Sequence, residues 1–523
     1  MRPAIRDGLV FAGAIALAGS TMLAGINPHD EGLMLEAAHR ITAGDLPWRD
    51  FWWNYGPAEP LLLALPAKVL GPSLLWWRII HVLIAGLTTL AAFRFVGRYA
   101  GTGWALAAAV AVAGALASPL IPNPNAPALA LLLGACLAVG RRPVVAGAMA
   151  GLAFAFRPDF GLASIAGIVL AAGVAAPEQP TEPDRAPGRP PGGGPALTAL
   201  GAAFAVAVLA TLPFVVAAGP SAVWDQTAGF AFHDQGLQRL PFPLSYTGGL
   251  DPNPLLVFYA PLVLVVGFVL CAGVVAWTSW VARRGGRGVG DRVALPPTVP
   301  LIALGPPVVA GLAYLLARTD EFHLVLLAVP LAVLLAVTGW RAWSTGPRVG
   351  GVALAVVLGL IAVHGLDRQR VALLSGPDRD RIDFDVADGV RPPPPETRAL
   401  EKTVRAIRDR VPAGQPIWVA NPRHDIVRVG NPLVFVLADR PNPTGYHVMQ
   451  PGVVTTAPVQ RAIVGDLRAA RPRVIVRWDS PPAVSREPNG SADSNGVTIL
   501  DDYLRQAYRP VERHGDYELL VPR

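Results

Sequence analysis

The chain has 523 residues, 52% of them hydrophobic and only 15% charged, with a mean hydropathy of +0.42. Soluble domains carry about 25% charged residues, so this composition points to a membrane protein. The net charge of +7 and the pI near 9.8 do not indicate a nucleic-acid partner, because the arginines sit in short loops between apolar runs rather than on one basic face. Cys136 and Cys271 fall inside apolar segments and read as small core hydrophobes rather than a disulfide.

A bilayer crossing needs about 20 mostly apolar residues. Such runs occur at 8–25, 74–96, 102–120, 125–140, 143–157, 159–176, 196–218, 254–280, 299–317, 323–340 and 349–366, which predicts about eleven transmembrane helices. The runs at 125–140 and 143–157 are the shortest. The first follows Arg2 and Arg6 and reads as an uncleaved helix rather than a signal peptide.

Arginine placement gives the orientation, because short cytoplasmic loops are enriched in Lys and Arg. With the N-terminus inside, the inner loops hold Arg2, Arg6, Arg94, Arg98, Arg141, Arg142, Arg185, Arg189, Arg283, Arg284, Arg287, Arg292, Arg341 and Arg348. The short outer loops hold far fewer. The expectation is a multi-pass protein of the inner (plasma) membrane, N-terminus cytoplasmic and everything after about 366 extracytoplasmic. The segment 177–195 reads as a disordered cytoplasmic loop.

The first outer loop, 26–73, is too long for a connector. Met34, Ala37, Ala38 and Ile41 follow helical spacing, predicting a short amphipathic helix over 31–43 along the interface. Gly44 ends it, and Pro57 opens a second apolar stretch that stops near Gly71. Asp30 and Glu31 stand at the head of the first helix. A carboxylate there suits a general base that deprotonates an acceptor hydroxyl; Asp30 reads equally as the helix N-cap. Trp52, Trp53 and Tyr55 form a platform for a sugar or lipid, or an ordinary interfacial aromatic belt.

In the turn FAFRPDFG, Arg157 and Asp159 are charges at membrane depth, either a phosphate-binding arginine or a structural pair. The segment 219–253, with His233 and Asp234, reads as a solvated loop that could close over a lipid. The turn ARTDEFHL places Arg318, Asp320, Glu321 and His323 within six residues. The planar donor fork of Arg suits phosphate, and His titrates near neutral pH. No helical His pair with ligand spacing marks a metal site, and no Walker loop or dinucleotide fingerprint is present.

From about 367 the composition changes. A linker at 367–395 leads to 396–523, where helix over 396–412, strands at QPIWVAN and PLVFVLA, a helix–strand pair in VQRAIVGDLRAARPRVIVRW and a closing helix with two strands predict a small α/β domain. His424, Asp425 and His447 read as surface loop residues.

Three features carry a resemblance: the acidic pair Asp30–Glu31 after the first span, the stretch GDLPWRDFWWNYGPAEP, and the outer-face Arg157 with the RTDEFH turn. With the C-terminal α/β domain, these resemble the GT-C fold glycosyltransferases that use lipid-linked sugars, such as protein mannosyltransferases, aminoarabinose transferases and actinobacterial arabinosyl- and mannosyltransferases. The resemblance implies a transmembrane domain over 1–366 and a polyprenyl-phosphate-sugar donor. The acceptor would be a cell-envelope glycan, lipid or protein. It implies inverting displacement with Asp30 as base and Glu31 assisting. Arg157, Arg318 and His323 would hold the donor phosphate. Trp52, Trp53, Tyr55, Asp159, Asp320, Glu321 and His233 would line the substrate site. Some relatives use a divalent metal. A transporter or flippase, or a scaffold presenting the C-terminal domain, is the alternative. Near-exclusive use of Arg over Lys suggests a GC-rich source such as an actinobacterium.

Overall fold

The computed structural model describes residues 2–118, 120, 123–175, 194–249, 252–284, 298–374 and 379–523. Most of the expected loop at 177–195, with Arg185 and Arg189, lies outside them, as do Arg287 and Arg292.

Apolar helices dominate the first two thirds. They are α1 (Pro3–Gly19), then α4 (Leu74–Val96), α5 (Thr102–Ala115), α6 (Asn125–Ala138), α7 (Pro143–Phe156), α8 (Pro158–Val174) and α9 (Gly194–Ala218). After a short α10 (Pro220–Trp224) come α11 (Pro252–Arg284), α12 (Thr298–Ala317), α13 (Val325–Thr345) and α14 (Arg348–Leu374). Six are long and apolar enough to cross a bilayer, and α5 to α8 are shorter apolar helices. With α1 they account for the eleven expected. The chain is a helical polytopic membrane protein. Its helices leave Leu197, Phe204, Leu209, Val216, Val349 and Val356 exposed, as only a lipid solvent tolerates. α13 lies at the centre, its apolar side chains buried.

The expected first loop folds as α2 (Asp30–Thr42) and α3 (Ala58–Leu70). α2 does not lie bare along an interface: Glu31 through Ala38 are all buried. The reason is the C-terminal domain, which packs α16 (Leu433–Ala438) across it. Gly32 permits that approach, since a Cβ there would meet the Leu433 backbone nitrogen at 2.4 Å. Arg40 reaches across to donate to the Thr444 carbonyl, and the Trp52 amide donates to Gly445. We call this side of the bundle the capped end.

α14 runs eight residues past the expected end of the last span, to Leu374. The C-terminal domain then adds α15 (Pro394–Arg410), α17 (Ala457–Ala470), α18 (Pro481–Val484) and α19 (Ile499–Ala507) around a four-stranded mixed sheet. Its order is β1 (Trp418–Ala420), β2 (Ile475–Trp478), β4 (Tyr517–Pro522), β3 (Tyr508–His514), with β1 and β2 parallel and the rest antiparallel. The predicted strand at PLVFVLA is instead α16: both faces are buried, so the apolar run carries no alternation to tell strand from helix. One apolar core runs from Trp418, Val476 and Leu519 of the sheet domain into Leu33, Leu35 and Trp53 of the first loop.

His424, Asp425 and His447 are buried rather than on the surface. Segments that connect elements normally run exposed, but here they are pressed against the membrane part. His447 packs at a tilt against Phe51 and Trp53, and among the described residues neither ring nitrogen has a partner. Burial, with Arg40 and His29 nearby, holds it well below the ordinary histidine range. Between that lowered value and about 6.5 the unfolded chain binds a proton that the folded chain does not. Stability therefore falls on acidification, by about 1.4 kcal/mol per pH unit for such a site. Replacing His447 with Phe should flatten the decline in thermal stability between pH 6.5 and 5. A slope equal to that of the native chain would assign the acid sensitivity elsewhere.

Candidate active site

A cavity of about 650 Å³ opens at the capped end, between the helix bundle and the C-terminal domain. Its walls come from the head of α2, the 54–55 turn, the α7–α8 junction, the end of α12 and the 318–323 turn. The C-terminal domain contributes Arg428, Gln450, Glu487 and Ser491.

Asp30 is the first residue of α2, not its N-cap; His29 holds that position and makes no side-chain cap. The Asp30 amide donates to Asn27 Oδ1 and Asn27 Nδ2 donates back to Asp30 Oδ2 at 3.2 Å. This reciprocal pair fixes the carboxylate at the cavity wall. At a helix N-terminus the macrodipole also favours its charge. Beside it, His29 accepts from the Gly430 amide at 3.3 Å and faces Gln450. Burial keeps His29 below the ordinary histidine range despite the Asp30 charge, so the imidazole is neutral at pH 7.

Glu31 does not line the cavity. It points away from the cavity, toward α4, and is fully buried in a fork with Arg78, at 2.7 Å to Nε and 2.9 Å to Nη2. Arg78 also donates to the Met22 and Gly25 carbonyls. The expected assistance to the base is therefore replaced by a structural role: this pair pins the head of α2 to α4.

Arg157 joins α7 to α8 in an extended conformation, with Pro158 opening α8. Its guanidinium is buried and forks onto Asp159 at 3.0 Å from both Nε and Nη2, while Nη1 donates to Asn125 Oδ1. The cation lies 3.9 Å from the centroid of the Tyr314 ring and 5.6 Å from that of Tyr55, a cation–π sandwich. Burial works against the charge, and Asp159 outweighs it, raising Arg157 further above the ordinary arginine value. The Arg157–Asp159 pair tightens the turn, and both residues line the cavity. Tyr55 is pushed up by burial and by Tyr314, so its phenol stays a hydrogen-bond donor.

Arg318 and His323 both line the cavity, tied to Asp320. Arg318 Nε donates to Asp320 Oδ2 at 2.5 Å, and His323 Nδ1 donates to Oδ1 at 2.6 Å. Burial would raise Asp320, but the bond from His323 and the charges of His323 and Arg318 hold it below the usual carboxylate range. The His323 ring packs at a tilt against Tyr314, with centroids 4.5 Å apart. Arg318 is not free. Its Nη1 and Nη2 fork onto Glu487 of the C-terminal domain at 2.9 and 2.6 Å, and Nη1 also serves the Gln238 carbonyl. One N–H of Nη2 is left for a ligand.

The remaining expected site residues fall outside the cavity. Trp53 is fully buried with Nε1 on the Gly56 carbonyl, and Trp52 packs edge-on to Phe230. They brace the wall rather than form it. The 219–253 segment is helical over much of its length, with a π-helix at Asp225–Asp234 whose Thr227 and Phe230 face the cavity. His233 is on its exposed side, bonded to Gly229. Glu321 faces a neighbouring cavity. His29, Tyr314, Arg428, Gln450 and Glu487 were not foreseen. Among the described residues no group of three His, Cys, Asp or Glu side chains is arranged to hold a metal. The steps proposed below use side chains alone.

No protein-family model and no curated protein matches the sequence. Solved structures do match. ArnT from Cupriavidus metallidurans in the apo state is similar over 99% of this chain and 98% of its own, with TM-score 0.55 and 15% identity. The same protein bound to undecaprenyl phosphate gives 98% and 97% coverage, TM-score 0.53 and 15% identity. The archaeal oligosaccharyltransferase AglB from Archaeoglobus fulgidus, in complex with an inhibitory peptide and a dolichol-phosphate, gives 98% and 74%, TM-score 0.47 and 12% identity. The chain adopts an ArnT-like arrangement of membrane helices with a small mixed sheet at the C-terminus, as the sequence resemblance implied for the fold.

Proposed function

We propose that the chain is a membrane glycosyltransferase that moves a sugar from a polyprenyl phosphate to a hydroxyl of a cell-envelope acceptor. The supporting observation is that Asp30 and Arg157 face one cavity at the capped end, in a fold shared with ArnT, of which one structure holds undecaprenyl phosphate. The arginine distribution supports an orientation with that end outside the cytoplasm.

Asp30 accepts the proton of the acceptor hydroxyl as its oxygen forms a bond to the anomeric carbon. The bond from that carbon to the phosphate oxygen breaks from the opposite side, the electron pair leaves with the lipid phosphate, and the configuration inverts. Arg157 faces the growing charge from the cavity wall, and His323 Nε2 and Tyr55 add polar contacts. The sandwich around Arg157 fixes it in place before the reaction, which is where electrostatic stabilisation is most effective.

Glu487 holds the donor fork of Arg318 as a phosphate would. Donor binding then exchanges Glu487 for the lipid phosphate. With purified protein and a polyprenyl-phosphate sugar, Glu487→Gln should lower the donor KM and Arg318→Ala should raise it, each by about tenfold. Acceptor KM should move less in both. A donor KM unchanged by Arg318→Ala would remove Arg318 from the phosphate site, and absence of transfer by the native chain across such donors would overturn the function.

A further inference from the structure

A second cavity, of about 90 Å³, lies beside the first at the capped ends of α4, α5, α6, α11, α13 and α14. Its deeper wall is apolar, with Ala260, Leu264, Ala328 and Leu360; its upper wall carries Glu321, His364 and Arg368. His364 and Arg368 are four residues apart on α14 and so share a face. Each presents a buried nitrogen that has no partner among the described residues, His364 Nε2 and Arg368 Nε. Arg368 Nη2 makes a long 3.4 Å contact to the Ala115 carbonyl. Glu321 is near enough to act on Arg368 electrostatically, and among the described residues no carboxylate forms an ion pair with it. A guanidinium without a carboxylate fork at membrane depth is costly and marks a functional site.

The two cavities adjoin. Asn123 and Phe322 line both, and Asn125 lines the second while its Oδ1 accepts from Arg157 of the first.

We propose that the second cavity is a phosphomonoester site, which receives the polyprenyl phosphate once its sugar has been transferred. The proposal rests on the function argued above. Size separates product from donor: the second cavity has about one-seventh the volume of the first. A water needs about 10–15 Å³ by this measure, so the space suits a phosphate but not a phosphate carrying a sugar. Charge points the same way. Breaking the sugar–phosphate bond turns a diester with one charge into a monoester whose second ionisation falls near pH 6. The product therefore gains up to one further negative charge, and an adjacent unpaired guanidinium is its natural partner. The chain has a route as well. Leu360 of the deeper wall is also exposed on the outer side of α14, so that wall opens toward where a prenyl tail lies.

The test uses the full-length protein in nanodiscs and a farnesyl phosphate bearing a photoreactive group on its prenyl chain. Labelled peptides should come from α14 around 360–368. Unlabelled farnesyl phosphate should compete, farnesol should not, and competition by inorganic phosphate at equal concentration would show a site for free anions and overturn the lipid assignment. Arg368→Gln should weaken competition about tenfold, whereas Arg368→Lys should keep most of it. Should Arg368→Gln fail to fold, Leu360→Trp closes the chain's entry without altering charge, and labelling should fall. Labelling on α14 unchanged by any of these substitutions, or absent from a chain that transfers sugar, would overturn the proposal. Labelling intact in a chain that transfers no sugar would instead sink the glycosyltransferase reading.

Discussion

Asp30→Asn should reduce sugar transfer by about 10³-fold, within the span that general-base catalysis supplies. The substitution is nearly isosteric, and the amide oxygen can still accept from Asn27 Nδ2. The Asp30 amide keeps its bond to Asn27 Oδ1 as well, so α2 stays capped and the cavity keeps its shape. What is lost is the only function an amide cannot perform, which is to take a proton. Donor binding should change little, because the proposed phosphate contacts come from Arg157, Arg318 and His323 on other elements. The check is initial-rate transfer together with donor binding and the elution profile of the variant. Transfer within twofold of the native chain would remove Asp30 from the chemistry. A parallel loss of donor binding would point to an electrostatic rather than a proton-transfer role.

Arg78→Met should destabilise the protein by about 3–5 kcal/mol, the usual cost of stranding one member of a buried ion pair. Neither Arg78 nor Glu31 has measurable exposure. Removing the cation leaves a carboxylate in the low-dielectric junction between α2 and α4, and also frees the Met22 and Gly25 carbonyls. The double change Glu31→Leu with Arg78→Met removes both charges and should recover part of that loss, though not the two carbonyls. Thermal unfolding in detergent measures both. If the single and double variants lose the same stability, the charge pair contributes nothing and the carbonyl bonds hold the junction. Activity should fall with the fold rather than ahead of it, because Glu31 faces away from the cavity.

The membrane helices were legible because hydropathy needs no tertiary partner: each span reports its own solvent. The C-terminal elements were legible where burial was one-sided, as in α15 and α17, and misread at PLVFVLA, where all six residues of α16 are buried. Within the site, residues that carry unusual charge at membrane depth announced themselves, and Asp30, Arg157, Arg318, Asp320 and His323 do face the cavity. Glu31 could not be separated from Asp30, since adjacent helical positions point about 100° apart and only the location of Arg78 decides which faces inward. Arg428, Gln450 and Glu487 gave no signal. They are ordinary polar residues in an ordinary-looking domain, and their position depends on pairings across hundreds of residues.

That distance bears on the order in which the protein can be made. Arg40 meets Thr444 and His29 meets Gly430 across about 400 residues of chain. During synthesis α2 and α3 leave the ribosome long before α16 exists, and the apolar surface they later share with the sheet must wait uncovered at the membrane face. The bilayer provides a holding place for it, which an aqueous compartment would not. A chain interrupted before β1 would have all its membrane helices and Asp30 in sequence, yet it would lack the wall that turns an open groove into a chamber. Completion of the cavity is thus tied to delivery of the last 106 residues (418–523) to the same side of the membrane as the first loop.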